Sequence, residues 1–303
     1  MTAGDFRPEA ESAFIYATGL EDRAGHVDAW PDHAAAALVE VVSQDRAAIT
    51  LRIANDEVSA YLRSGAQLRS VLGKLPAVLY LDITGLAHHV WAPLLRGALD
   101  LGKRVWGVYV EPEEYTRTTT PTEGTIYDLS DRIEGIAPIP GFASLTEPED
   151  EQFAFIPLLG FEGTRLIHMT EHVQPSAAAT VPVVGVPGFR SEYPFVSLKG
   201  NRKPLVDGAT WVNMRYSTAN CPFDLFFTLQ SIVEEFDYEY VRIAPIGTKP
   251  HGLGAVLFTL SVESRVELIY DHPIRKLGRT SGAARLCLYD ISTFVDSDEF
   301  RWA

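Results

Sequence analysis

The chain has 303 residues, 46% of them hydrophobic and 22% charged, which is enough for two ordinary domains or one large one with packed cores. A formal net charge of −14 argues against broad nucleic-acid binding, because affinity for phosphate backbones is carried mainly by Lys and Arg. It leaves room for a small nucleotide in a local pocket, where backbone N–H groups and a few cations suffice.

The N-terminus, Met1 to Glu11, is acidic and polar without an apolar signal core, and no apolar run is long enough to span a bilayer. The expectation is a cytoplasmic protein with no membrane partner. Cys221 and Cys287 form no CxxC or metal spacing and read as reduced thiols.

In chain order, Ala13–Ala17, Ala48–Ile53, Ala77–Ile83 and Val105–Val110 are short apolar runs without strict alternation. Runs apolar on both faces suit buried parallel strands. Between them His33–Val42, Glu57–Lys74 and His88–Leu101 carry apolar residues at helical spacing, and Asn55-Asp56 reads as a cap of the second. The acidic, Pro-containing stretch Gly141–Gln152 is the expected linker, with the boundary near Asp150. Beyond it, Trp211–Tyr216, Tyr240–Ile246 and Arg265–Tyr270 read as strands, and Phe223–Phe236 and Leu253–Leu260 as helices.

The two halves share segments in the same order. Phe14–Glu21 resembles Phe155–Glu162, Leu81–Gly85 corresponds to Ile243–Gly247, Val108–Pro112 to Ile269–Pro273, and Tyr127–Ser130 to Tyr289–Ser292. Gly19 and Gly160 are 141 apart, whereas Gly85 and Gly247 are 162 apart. About twenty extra residues therefore enter early in the second half, and Gln174–Asp207 is the obvious place for them. The expected architecture is α/β: two tandem Rossmann-like units with mostly parallel sheets, related by internal duplication. The first would cover 12–145, and the second 152–303 with an insertion at about 174–207.

Ligands of open parallel sheets bind beyond the carboxyl ends of the strands. Those ends are Thr18-Gly19, Asn55-Asp56, Thr84-Gly85 and Glu111-Pro112 in the first half, and Gly160, Ser217-Thr218, Gly247–His251 and Asp271–Pro273 in the second. The sharpest is Ile246-Gly247-Thr248-Lys249-Pro250-His251-Gly252-Leu253-Gly254. Gly247 allows a tight strand exit, Thr248 can cap the next helix, and Pro250 fits its first turn. Lys249 beside that helix start favours an anion such as a phosphate, although the same pattern is good strand-to-helix punctuation without a ligand. It is neither a P-loop nor a GxGxxG fingerprint.

This strand–Gly–Thr–Lys–Pro–helix turn resembles that of CARF domains, Rossmann-like sensors of oligoadenylates in CRISPR defence. Two such units in one chain resemble the related SAVED domains. The specific likeness covers Ile243 to Gly254. It implies that Gly247, Thr248 and Lys249 face a nucleotide phosphate; the matching first-half turn, Thr84-Gly85-Leu86-Ala87-His88, has no lysine.

His88-His89, His251 and His272, with Asp82 and Asp271, show no HExxH or HxH spacing, so neither a metal nor another cofactor is expected. Glu21-Asp22-Arg23 and Glu162–Arg165 follow the first strand of each half, where an arginine can bind phosphate or pair with an acid. The binding residues expected are Gly247, Thr248, Lys249, His251, Thr84, Gly85, His272, Thr18, Asn55 and Ser217, with none catalytic. The first functional reading is a nucleotide-binding sensor or regulatory subunit of a prokaryotic defence system, its effector activity supplied by a protein partner. The alternatives are a structural subunit that uses an apolar surface around Val181–Leu198, including Phe189, Tyr193 and Phe195, and a nucleotide-directed hydrolase using Asp271, His272 or His251.

Overall fold

The computed structural model describes residues 1–301 except 20, 31–35, 123–124, 128, 145–152, 237 and 263–264. The chain forms two compact units: residues 1–115 joined by 277–303, and residues 116–276. This division differs from the expected 12–145 and 152–303. The expected boundary at Asp150, with the linker from residue 145 onward, lies outside the described residues.

The first unit opens with β1 (Ser12–Tyr16), buried at every position, followed by a 3-10 segment at Asp22–Ala29. Next comes an antiparallel meander of β2 (Ala36–Gln44), β3 (Ala48–Ile53) and β4 (Asp56–Tyr61). Three expectations fail here. Where described, the helix expected over His33–Val42 is β2, because Val39 and Val41 alternate with outward Glu40 in the two-residue period of a strand. Ala48–Ile53 is antiparallel instead of parallel. Asn55-Asp56 caps no helix: Ile53 pairs with Asp56 across a two-residue hairpin turn that starts with left-handed Ala54.

The chain continues through α1 (Gly65–Leu72), β5 (Val78–Asp82), α2 (His88–Asp100), β6 (Arg104–Val110) and the two-residue β7 (Glu114–Tyr115). Thus Glu57–Lys74 is a strand followed by a shorter helix, whose start is capped by Ser64.

The second unit starts with a hairpin of β8 (Arg117–Thr122) and β9 (Thr125–Tyr127), then β10 (Ser130–Ile133) and β11 (Ala137–Pro138). Its main sheet is built by β12 (Ala154–Pro157), α3 (Gly163–Val173), β13 (Val183–Gly185), α4 (Tyr193–Asp207), β14 (Arg215–Ser217), α5 (Pro222–Phe236), β15 (Val241–Ala244), α6 (Lys249–Ser261) and β16 (Val266–Tyr270). Two parallel bridges, Phe155 to Thr180 and Leu158 to Val183, set β13 beside β12. The order is therefore β14-β13-β12-β15-β16, all parallel, with β11 antiparallel against β16.

Residues 174–207 are thus no appendage. They supply β13 and α4, the helix that leads from β13 to β14. The strand expected at Trp211–Tyr216 is a 3-10 turn at Thr210–Asn213 and then β14. Helix α6 is buried from Lys249 to Phe258, and a Cβ on Gly254 would lie 2.4 Å from the Pro222 carbonyl oxygen, so glycine permits its close approach to α5.

After β17 (Pro273–Arg275), which pairs with β10, the chain returns to the first unit as β18 (Thr280–Ser281) against β7. It then forms β19 (Leu286–Asp290) against β6 and the short helix α7 (Ile291–Val295). The first unit's sheet runs β19-β6-β5-β1-β2-β3-β4, with four parallel strands at its centre and antiparallel strands at both flanks. Phe6, Phe14, Trp30, Tyr80, Val108 and Leu286 form an aromatic-rich core on it, whereas Phe155, Leu166, Met169, Val184 and Ile269 help fill the second. Among the described residues no helix is long and apolar enough to cross a membrane.

Candidate functional site

In each unit the first strand has parallel neighbours on both sides, so its crossovers leave in opposite directions. That is the switch point where ligands bind in open α/β sheets. In the first unit it lies between β1 and β5. A Cβ on Gly85 there would stand 2.0 Å from the Ala17 carbonyl oxygen. In the second it lies between β12 and β15, where a Cβ on Gly247 would stand 2.6 Å from the Leu159 carbonyl oxygen and one on Gly160 2.6 Å from that of Ile246. Each glycine is required by two loops meeting backbone to backbone.

Around both switch points the buried polar residues concentrate. In the first unit Glu21 is a hub. Its carboxylate accepts from Arg23 Nε at 2.8 Å, Arg279 Nε at 2.9 Å and Thr280 Oγ1 at 2.7 Å. Arg23 also donates to the Val110 carbonyl and lies over the Tyr109 ring, 5.2 Å from its centre. His26 Nε2 is 3.2 Å from Asp82 Oδ2 with both residues buried, but it is not aligned as a hydrogen bond.

The second unit repeats this pattern with different chemistry. Glu162 accepts from Ser130 Oγ at 2.9 Å and from the Leu129 and Ser130 N–H groups at 3.0 Å. Arg165 grips Asp271 with two bonds, 2.7 and 2.6 Å, donates to the Ile246 carbonyl at 2.9 Å, and lies 5.8 Å from the Tyr270 ring centre.

Of the residues expected at a site, Gly247, Thr248, Lys249, His251, Ser217 and His272 stand at the carboxyl ends of β14, β15 and β16 in the second unit. Thr248 is the N-cap of α6: its Oγ1 accepts from the His251 N–H at 3.2 Å and donates to the Ala219 carbonyl at 2.7 Å. Lys249 is buried in the first turn. His251 is fully buried, with Nε2 3.1 Å from the Thr218 carbonyl. A carbonyl only accepts, so Nε2 carries the proton. Burial pushes this imidazole down to about 4, against the pull of the Thr218 carbonyl and the Asp224 charge.

Asp224 accepts from Ser217 Oγ at 3.1 Å and the Thr218 N–H at 2.5 Å. Burial raises its carboxyl, but these bonds prevail and hold it below the ordinary range. His272 is buried and left-handed, φ 43°, and its ring packs edge-on to Tyr270. A left-handed non-glycine residue costs of order 1–3 kcal/mol, which concentrates strain at this strand end.

The first-unit residues are more scattered. Thr84 is buried, its N–H donating to Asp82 Oδ1 at 2.8 Å and its Oγ1 accepting from the Val110 N–H at 2.9 Å. The Gly85 carbonyl accepts from Gln44 Nε2 at 3.3 Å. Thr18 is exposed and donates to Glu40 Oε1 at 3.0 Å, and Asn55 sits in the hairpin turn. Among the described residues no group of three or more His, Cys, Asp or Glu side chains could hold a metal. The Cys287 thiol is pushed up to about 11 by burial and by Glu111, which keeps it protonated.

Sequence reading noticed Glu21, Arg23 and Arg165 but not what they hold. One expected repeat match, Tyr127–Ser130 with Tyr289–Ser292, falls in dissimilar elements. Tyr127 ends the β8–β9 hairpin whereas Tyr289 lies in β19, and Asp128 lies outside the described residues. Glu162 accepts from the Ser130 hydroxyl and Glu21 from the Thr280 hydroxyl. The chain matches no protein-family model, and no match is found among curated proteins.

Proposed function

We propose that this chain is a regulatory, ligand-binding protein whose second unit takes a small nucleotide-like anion, as a second-messenger sensor of a prokaryotic defence system would. The observation that carries the reading is the convergence of Gly247, Thr248, Lys249, His251, Ser217 and His272 at one set of strand ends, with the Lys249 charge at the start of a 13-residue helix. Cation and helix dipole act there in the same direction. Hydrolysis is the weaker reading, since Asp271 is committed to Arg165 and His251 to the Thr218 carbonyl.

The two units are further proposed to be Rossmann-like and to descend from one duplicated ancestor. What supports this is detail beyond the general strand pattern. A glutamate after the first strand binds a hydroxyl residue, an arginine stacks on the last parallel strand's tyrosine, and a glycine closes the switch point, each once per unit.

Calorimetric titration of the full chain with ATP, linear and cyclic oligoadenylates and cyclic dinucleotides tests the sensor. A saturable signal weakened at least tenfold by Lys249→Ala is expected, since losing one charge-assisted phosphate contact costs about 1.5–3 kcal/mol. Silence with every nucleotide would end that reading. A second reading, an interaction subunit, is favoured by the exposed Trp211, Val212 and Tyr216.

A further inference from the structure

We propose that the open edge of β14 is a self-association surface at which a second copy of this chain docks strand to strand. In the parallel ladder with β13, Arg215 and Ser217 direct their hydrogen bonds inward: the Arg215 N–H donates to the Pro182 carbonyl at 2.9 Å, and the Ser217 carbonyl accepts from the Val186 N–H at 2.7 Å. The intervening Tyr216 therefore turns its N–H and C=O outward, and among the described residues no strand pairs with that side. Two copies related by a two-fold axis at Tyr216 form one closely spaced antiparallel pair, each N–H meeting the carbonyl of the other copy. A single outward residue is enough for that register.

The surroundings fit the same occupant. Val206, Trp211, Val212 and Tyr216 are each more than half exposed, and all lie in the short span from the end of α4 to β14. Trp and Tyr are the residue types that most often anchor an interface. Exposed edges are commonly blunted by charge, and β14 carries Arg215, but Glu235 neutralises it through two 2.7 Å bonds.

Residues 186–218 carry five cations (Arg190, Lys199, Arg202, Lys203, Arg215) against two carboxylates, in a chain of net charge −14. Two copies of so acidic a protein repel over most of their surface, whereas this span lacks that negative excess and three of its cations, Arg190, Lys203 and Arg215, are paired with Glu192, Asp207 and Glu235. The pairs Arg215–Glu235 and Lys203–Asp207 at its rim present both signs, as a self-complementary patch needs.

Sedimentation equilibrium of the full chain over a concentration series tests the proposal. The wild type is expected to be a reversible dimer. Tyr216→Pro, which removes the outward N–H, and Trp211→Glu, which adds charge to the apolar patch, are each expected to weaken dimerisation at least tenfold with an unchanged far-UV spectrum. If Tyr216→Pro disturbs the fold, Trp211→Glu alone decides. A wild type monomeric throughout, or a dimer indifferent to the folded variants, overturns the proposal, whatever else is found to bind the patch.

Discussion

Acidification is expected to destabilise the second unit in part through the buried imidazole of His251. His251 donates from Nε2 to the Thr218 carbonyl, and burial holds its folded pKa at about 4, against 6.5 for an ordinary histidine. Above pH 6.5 both folded and unfolded states are neutral at this position, and the group leaves stability unchanged. Between 6.5 and 4 the unfolded chain binds a proton that the folded protein refuses, so stability falls with pH and levels off below 4. At 1.36 kcal/mol per pKa unit the full loss is roughly 3 kcal/mol, and about 2 kcal/mol of it is lost between pH 7 and 5. His251→Gln keeps an N–H that can reach the carbonyl and abolishes the titration. Urea denaturation followed by circular dichroism at half-unit pH steps should therefore show the wild type losing about 2 kcal/mol more than the variant between pH 7 and 5. Parallel curves for the two proteins would refute the reasoning, since every other titrating group is common to both.

Two further outcomes follow from the same geometry. Gly85→Ala forces a methyl to 2.0 Å from the Ala17 carbonyl oxygen and should cost 3 kcal/mol or more (roughly the upper end for overpacking), whereas Gly4→Ala, with nothing within 4 Å, should be neutral in the same chemical melts. Asp271→Asn breaks a buried bidentate pair and should cost about 3–5 kcal/mol, measured as a loss of unfolding free energy in urea.

The residues that were legible from sequence are those whose environment is local. β1 and β5 announce themselves as continuous apolar runs because helices and neighbouring strands bury both faces. Gly85 and Gly247 stand out as strand exits because a tight backbone approach leaves no other residue type. The meander was missed because the Ala-rich run before Val39 has helical composition, and the turn that reveals its strands, Ala54-Asn55, also resembles a helix start. Glu21 was visible as an acid beside an arginine, but its partners Arg279 and Thr280 come from 258 and 259 residues away. No spacing rule reaches that far. The unit boundaries were hidden for the same reason, because the segments that complete each unit come from chain that follows the other unit's last parallel strand.

That exchange makes the two units unequal as pieces of chain. Residues 116–276 are contiguous and contain β10 and β11, the strands that flank β16 and β17. Residues 1–115 lack β18, β19 and α7. Without 277–303 the edge of β6 loses a five-residue ladder and the core loses Leu286. Glu21, 5% exposed, loses Arg279 and Thr280, and the buried Glu111 loses Arg285. Removing one partner of a buried ion pair costs about 3–5 kcal/mol, and a domain has only about 5–15 kcal/mol to lose. The fragment 116–276 is therefore expected to unfold cooperatively in urea when produced alone. The fragment 1–115 should show no cooperative transition and be degraded rapidly by protease, and 1–115 supplied with a 277–303 peptide should regain both properties. A cooperative, protease-resistant 1–115 on its own would mean that the returning segment decorates the first unit instead of completing it.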